Sequence, residues 1–168
     1  MKYEYTRLED QIKELYTAMG IHCPFDMELG YISSSLKVDL NIGEHGPFRS
    51  GNSIHLQIHD TPEEQWESFG HEICHVLWHA GNQLFMANTY RLKQEWQARN
   101  FALHFCVPTF MLLKLDLPER RCEAVELIAE TFGVTHTFAN QRLQHLEKQY
   151  LGKMVWEEIV RNGFCSLG

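Results

Sequence analysis

The chain has 168 residues, 44% of them hydrophobic, and a formal net charge of −7 at neutral pH, which allows a compact core with an enclosed cleft but not the positive field on which nonspecific nucleic-acid binding relies. No apolar run approaches the roughly 18 residues a membrane span needs, and the opening MKYEYTRLEDQIKELY is charged and amphipathic rather than signal-like. The expected setting is therefore cytoplasmic, without membrane attachment, and nucleic acid is a poor default partner.

Apolar residues Leu8, Ile12, Leu15, Tyr16 and Met19 recur at helical spacing ahead of Gly20, so the pattern predicts a helix over about 4–19. From Cys23 to Asp60 the pattern changes to short β-prone pieces around Glu28–Ser34, Leu36–Ile42 and Ser53–His59, punctuated by Gly43, Gly46, Pro47 and Gly51. These pieces predict a small antiparallel sheet. The rest of the chain reads as helical, with no repeats or low-complexity stretches, so the expectation is an α+β fold in one domain over 1–168, a core of 1–115 followed by a helical tail of 116–168. Five cysteines, Cys23, Cys74, Cys106, Cys122 and Cys165, form no CxxC pair and read as reduced thiols, mostly core filler.

The segment TPEE at Thr61–Glu64 places a Thr cap, a Pro at the first helical position and a Glu three residues after the cap, which together mark a helix start. Gly81 reads as its stop. At 100° per residue Trp66, Phe69, Ile73, Val76, Leu77 and Ala80 fall on one side, with His71 and His75 nearly opposite. Two histidines one turn apart bring their imidazoles within reach of one ion, and Glu72 between them can reach a water at that ion rather than the ion itself. This is the HExxH arrangement, written here as HEICH. The competing reading makes His71 and His75 solvated histidines on an acidic helix; the cap and the mid-helix position favour a metal.

A zinc peptidase site wants three protein ligands and one open position. His79 lies eight residues, or roughly 12 Å of helix rise, beyond His71, too far for one tetrahedral ion, which leaves it a role behind the ligands or at the rim. The next predicted helix, about Asn88 to Val107 and ending at Pro108, carries Glu95 on a stripe with Ala98, Ala102 and Cys106. Alanines permit close approach to a neighbouring helix, and a carboxylate on that stripe is expensive to bury unless a cation meets it. Glu95 is thus the expected third ligand, the alternative being a surface carboxylate paired with Lys93 or Arg99. Cys74 points 60–100° around the helix from the histidines and is not expected to ligate. His55 and His59 share one face of a strand and can also bind metal, though cross-strand or surface placement explains them equally.

GHEICHVLWH followed by E-x-x-A-x-x-F-A-x-x-x-x-x-P, from Glu95 to Pro108, resembles the ImmA/IrrE metallopeptidases of bacteria and their mobile elements. The resemblance covers about Asn52 to Pro108, and more loosely the tail, where IAETFGVTHTFANQRL looks like the helix-turn-helix-like segment such proteins often carry. It implies a zincin-like fold with Zn²⁺ held by His71, His75 and Glu95 and with Glu72 as catalytic base. Thermolysin-like enzymes, more distantly similar, place an acidic residue one turn after the ligand glutamate; Arg99 stands there in this chain, so what lies behind the histidines is unassigned. In the tail, Val125, Ile128, Ala129 and Phe132 form one apolar face, Gly133 breaks the helix, and Phe138, Leu143 and Leu146 form the next. The second of these helices has few basic residues, which favours packing or protein recognition over DNA reading.

The expected chemistry is peptide hydrolysis, with Zn²⁺ activating water and polarising the scissile carbonyl while Glu72 takes and returns the proton. Tyr90, His79 and His104 are candidates for the oxyanion partner, and the edge of Ser53–His59 for holding an extended substrate by strand addition. The resemblance suggests a helix-turn-helix repressor of a mobile element or stress regulon as the protein substrate. The alternative from another class is a noncatalytic zinc-binding regulatory or protein-interaction module, which would need neither Glu72 nor an open coordination position.

Overall fold

The structure, a computed structural model, describes residues 3–79 and 88–164. Helix α1 spans Arg7–Ala18 and starts at Thr6, whose side chain and that of Glu9 form a reciprocal capping box. A 3₁₀ turn at Pro24–Asp26 leads to α2, Leu29–Ser35. Strands β1 (Asp39–Gly43), β2 (Phe48–Ser50) and β3 (Ser53–Gln57) follow. The remainder is helical, with α3 at Pro62–Trp78, α4 at Asn88–Cys106, a short α5 at Thr109–Leu112, α6 at Arg121–Phe132 and α7 at His136–Phe164. This is the α+β class expected, with the small sheet directly before the HExxH helix. Among the described residues no helix is long and apolar enough to cross a membrane.

The sheet departs from expectation in three ways. Glu28–Ser34, read as β-prone, lies almost wholly in α2. Its two buried residues, Ile32 and Ser33, are adjacent rather than alternate, which suits a short helix pressed on the core and not a pleated strand. The strand order is β1-β3-β2, with β1 parallel and β2 antiparallel to β3, so the sheet is mixed rather than antiparallel throughout. A parallel β1–β3 pair needs a connection that crosses back, and residues 44–52 supply it by carrying the edge strand β2. That strand was hidden among Pro47 and Gly51, which read as punctuation. Consequently β3 is the central strand, paired with β1 along Ser53–Gln57 on one edge and with β2 along Ser53–His55 on the other, which leaves only the stretch beside Leu56 and Gln57 unpaired for strand addition.

The helix signals fared better. The capping box at Thr61 and Glu64 is present, with Pro62 in the first turn. Trp66, Phe69 and Ile73 are buried as the helical pattern requires, while Leu77 and Trp78 are exposed and α3 ends there, capped by an extended His79. Ala80 and Gly81 lie outside the described residues. Gly133 ends α6 in the left-handed conformation at φ 60°, which any side chain would resist, and the chain turns at once into α7.

Helices α3 and α4 form the central pair. At their crossing Gly70 faces Ala102 and Cys106, and a Cβ at Gly70 would lie 2.4 Å from the Cys106 Sγ and 3.7 Å from the Ala102 Cα. Ala98, Ala102 and Cys106 are all buried, so the small-residue stripe of α4 meets α3 as expected. Around this pair Phe69, Phe101, Phe105 and Trp66 stack or tilt against one another, and the Tyr16 hydroxyl of α1 donates to the Phe105 carbonyl at 2.8 Å.

A second, polar core ties the ends of the chain to α4 and α5. The buried Glu9 carboxylate accepts from the Tyr3 hydroxyl at 2.7 Å, the Thr6 amide at 2.7 Å and the Thr109 hydroxyl at 2.7 Å. Arg142 of α7, fully buried, donates to Thr109 Oγ1 at 2.6 Å and to the Val107 carbonyl at 3.0 Å. Burial pushes the Glu9 pKa up, but the bonds from Thr109, Thr6 and Tyr3 outweigh it and hold the group below the ordinary carboxylate value. Burial, then the Arg142 charge, hold the nearby His104 well below the usual imidazole range.

Gly70→Ala is expected to lower stability by about 1–3 kcal/mol, since a methyl group there overpacks the α3–α4 contact. Cys106→Ala should recover part of the loss in the double variant. Urea unfolding of the four proteins in the cycle measures the coupling, and additive effects would mean the two residues do not meet.

Candidate metal centre

His71 and His75 lie one turn apart on α3, on the face turned toward α4, and Glu95 comes from the first half of α4. The packing at Gly70 sets the distance between the two helices, and so delivers Glu95 opposite the histidines. His71 Nε2 lies 3.2 Å from Glu95 Oε2 and 3.2 Å from His75 Nε2, and His75 Nε2 lies 3.6 Å from Glu95 Oε1. These lengths match the edge of a tetrahedron of zinc ligands at about 2.0–2.1 Å from the ion, which is about 3.3 Å. The three residues are the described group whose donor atoms all lie within 4.8 Å of one another. Two imidazole nitrogens and a carboxylate are the donor set that Zn²⁺ accepts when it keeps one position for water, so the residues present fit the ion.

Electrostatics suit the same role. Burial holds the pKa of His71 below its ordinary value, and burial together with neighbouring His71 lowers that of His75 to about 4. Both rings are therefore neutral near pH 7, with lone pairs available. His75 is buried rather than solvated, while His71 and Glu72 beside it are partly buried. Glu72, half-buried beside them, has its pKa raised to about 7 by burial first and by Glu95 second. A carboxylate so placed exchanges a proton near neutrality. Cys74 is buried, and burial pushes its thiol up to about 12; it stands outside the cluster as a neutral thiol, in line with its expected orientation.

Behind the ligands the structure supplies what the sequence left unassigned. His79 Nδ1 lies 2.8 Å from His75 Nδ1, and the Gln97 side chain hydrogen-bonds His79 in turn. A His75 that offers Nε2 to a metal must carry its proton on Nδ1 and donate it, and His79 is the acceptor. The geometric exclusion of His79 as a ligand stands, and its place is behind His75. Arg49, from edge strand β2, donates to the His75 carbonyl at 3.0 Å and the His79 carbonyl at 3.5 Å, adding a donor to the carbonyls at the end of α3. Neither Gln97 nor Arg49 gave a sequence signal, because each acts across a tertiary contact.

Of the other candidates, His104, His55 and His59 lie outside the cluster of His71, His75 and Glu95. His104 is buried against Glu9 and Thr109 in the polar core, which removes it as an oxyanion partner. His55 stacks on Phe48 across the strand pair, with ring centroids 4.3 Å apart, and His59 lies beyond β3. Tyr90 is exposed on the first turn of α4.

The sequence profile of the IrrE N-terminal-like domain, a peptidase family, matches residues 33–144. The chain belongs to this family. Its membership makes it a metallopeptidase-type domain, in a family that is zinc-dependent in general and acts on protein substrates. Among relatives, the phage-like element PBSX protein XkdA of Bacillus subtilis is 42% identical over 151 residues, covering 88% of this chain and 76% of that protein. The uncharacterized protein YqaB of the same organism is 31% identical over 169 residues, covering 98% of each. A Mycobacterium tuberculosis transcriptional regulator shares the fold of this IrrE-like domain, with a TM-score of 0.59 at 15% identity over 83% of this chain; the match spans 56% of the regulator.

The metal-stripped IrrE-like domain is expected to take up one equivalent of Zn²⁺ in a calorimetric titration, and Glu95→Ala and His75→Ala to take up none at the same affinity. His79→Ala should retain the site with affinity reduced about 10–100-fold. Unchanged binding in Glu95→Ala would remove that residue from the centre.

Proposed function

We propose that this chain is a zinc-dependent, site-specific endopeptidase of the cytoplasm, in which His71, His75 and Glu95 hold the metal and Glu72 is the catalytic base. The observation that supports this most is the convergence of three ligand atoms of the open-site type beside a carboxylate that belongs to none of them. Zinc, when bound, supplies the Lewis acidity that activates water and polarises a peptide carbonyl. Glu72 accepts the water's proton on its carboxylate and returns it to the leaving amine. Its raised pKa suits both halves of that exchange near neutral pH. The Arg49 contacts keep the end of α3 from fraying, and the His79 contact fixes the His75 ring. A noncatalytic zinc module is the weaker reading, because a closed structural site has no use for Glu72 and draws on a fourth protein ligand such as a thiolate.

For the substrate we propose a helix-turn-helix repressor encoded near this chain. A relative at 42% identity carries the name of a phage-like element. The net charge of −7 favours a basic partner, and DNA-binding repressors are commonly basic. Narrow substrate choice also suits a peptidase that shares its compartment with the proteins it must spare.

Zinc-loaded protein incubated with the neighbouring repressor should cut it at one site and leave casein largely intact. Glu72→Gln should keep metal and fold while losing at least about 10²-fold in rate. Brisk casein digestion beside an intact repressor would refute the regulatory substrate, and undiminished cleavage by Glu72→Gln would exclude that residue as the base.

A further inference from the structure

Helix α7 belongs to the tail for which packing or protein recognition is the expectation, and its first turns close a cleft against the metal centre. The cleft measures about 270 Å³, and its lining includes His71 itself, Glu67 one turn earlier on α3, Arg99 and Leu103 from α4, and Phe138 and Gln141 from α7. It is held together by the Thr135 amide, which donates to the Glu67 carboxylate at 2.6 Å and so pins the start of α7 to α3. Leu103 and Phe138 give it apolar walls. Arg99 is exposed, one turn beyond Glu95, and makes no hydrogen bond or ion pair among the described residues.

We propose that this cleft receives the substrate side chain beside the scissile bond and selects one with an apolar stem ending in a carboxylate, glutamate above all. The proposal rests on the peptidase reading of the adjoining centre. An apolar wall accepts the methylenes of the stem, and a guanidinium that has no hydrogen-bond or ion-pair partner among the described residues offers the forked donor pair that matches a carboxylate. Glu67, the acidic group in the lining, has one carboxylate oxygen engaged by the Thr135 amide. A lysine or arginine entering the cleft would meet the like charge of Arg99. The local preference is thus opposite in sign to that of the whole molecule, whose acidic surface favours a basic partner. A basic protein presents few acidic positions, so the combination restricts cleavage to few bonds.

The test uses zinc-loaded full-length chain and four dipeptide hydroxamates that differ only in the side chain next to the hydroxamate: glutamate, glutamine, leucine and lysine. The hydroxamate anchors every member on the metal, so calorimetric affinity reads the cleft alone. The glutamate compound should bind about tenfold more tightly than the leucine compound, with lysine weakest. Arg99→Lys should retain this order and Arg99→Glu should invert it. Because Arg99 is exposed, both variants should melt like the parent, which separates a change of preference from loss of fold. Equal affinities across the series, or an unchanged order in Arg99→Glu, would overturn the subsite while leaving the metal centre standing, since the hydroxamates would still bind. Failure of all four to bind zinc-loaded protein would overturn the subsite and the peptidase reading together.

Discussion

The close approach of α3 and α4 at Gly70 is the constraint on which the centre depends. A zinc site of this kind draws two ligands from one helix and the third from another, and tolerates errors of only a few tenths of an ångström in their separation. Small residues at the crossing, Gly70 against Ala102 and Cys106, let the backbones approach until there is no space for a methyl group. Glu95 and Ala98 continue the same stripe of α4, so one packing contact fixes how far the carboxylate stands from His71 and His75. The aromatic cluster of Trp66, Phe69, Phe101 and Phe105 surrounds the crossing and makes separation of the helices costly.

Around that pair the rest of the chain acts as support. The sheet contributes Arg49, which reaches the last carbonyls of α3 from an edge strand. The polar core does comparable work at the opposite side. Glu9, Thr109 and Arg142 form one hydrogen-bonded chain from α1 through α5 to α7, in which directed donors meet the Glu9 carboxylate and acceptors meet Nε and Nη2 of Arg142. This places α7 firmly enough against α4 for Phe138 and Gln141 to become walls of the cleft beside His71. The buried Arg142 places one of the few basic side chains of α7 inside the fold.

Much of the centre was legible in the sequence because its signals are local. HEICH on a capped helix puts His71 and His75 on one face with Glu72 between them by periodicity alone, and the stripe of Glu95, Ala98, Ala102 and Cys106 announces a close helix contact with a carboxylate at one end. The second rank was not legible. His79 could be excluded as a ligand by helix rise, but its bond to His75 depends on ring orientation, and Gln97 and Arg49 act from other elements. In the fold, the caps and amphipathic helices were readable, whereas α2 and the sheet topology were not. Ile32 and Ser33 carry no period of their own, and the parallel pairing of β1 with β3 is a nonlocal choice that no alternation within either strand encodes.

The central claim is that the metal centre is open, with three protein ligands and no sulfur. X-ray absorption at the zinc edge of the loaded protein tests it directly. The account predicts a first shell of nitrogen and oxygen at about 2.0–2.1 Å, with two imidazoles resolved by their outer scattering and one ligand exchangeable with solvent. A sulfur scatterer at about 2.3 Å, as Cys74 would contribute, or a fourth protein ligand that closes the site, would contradict it.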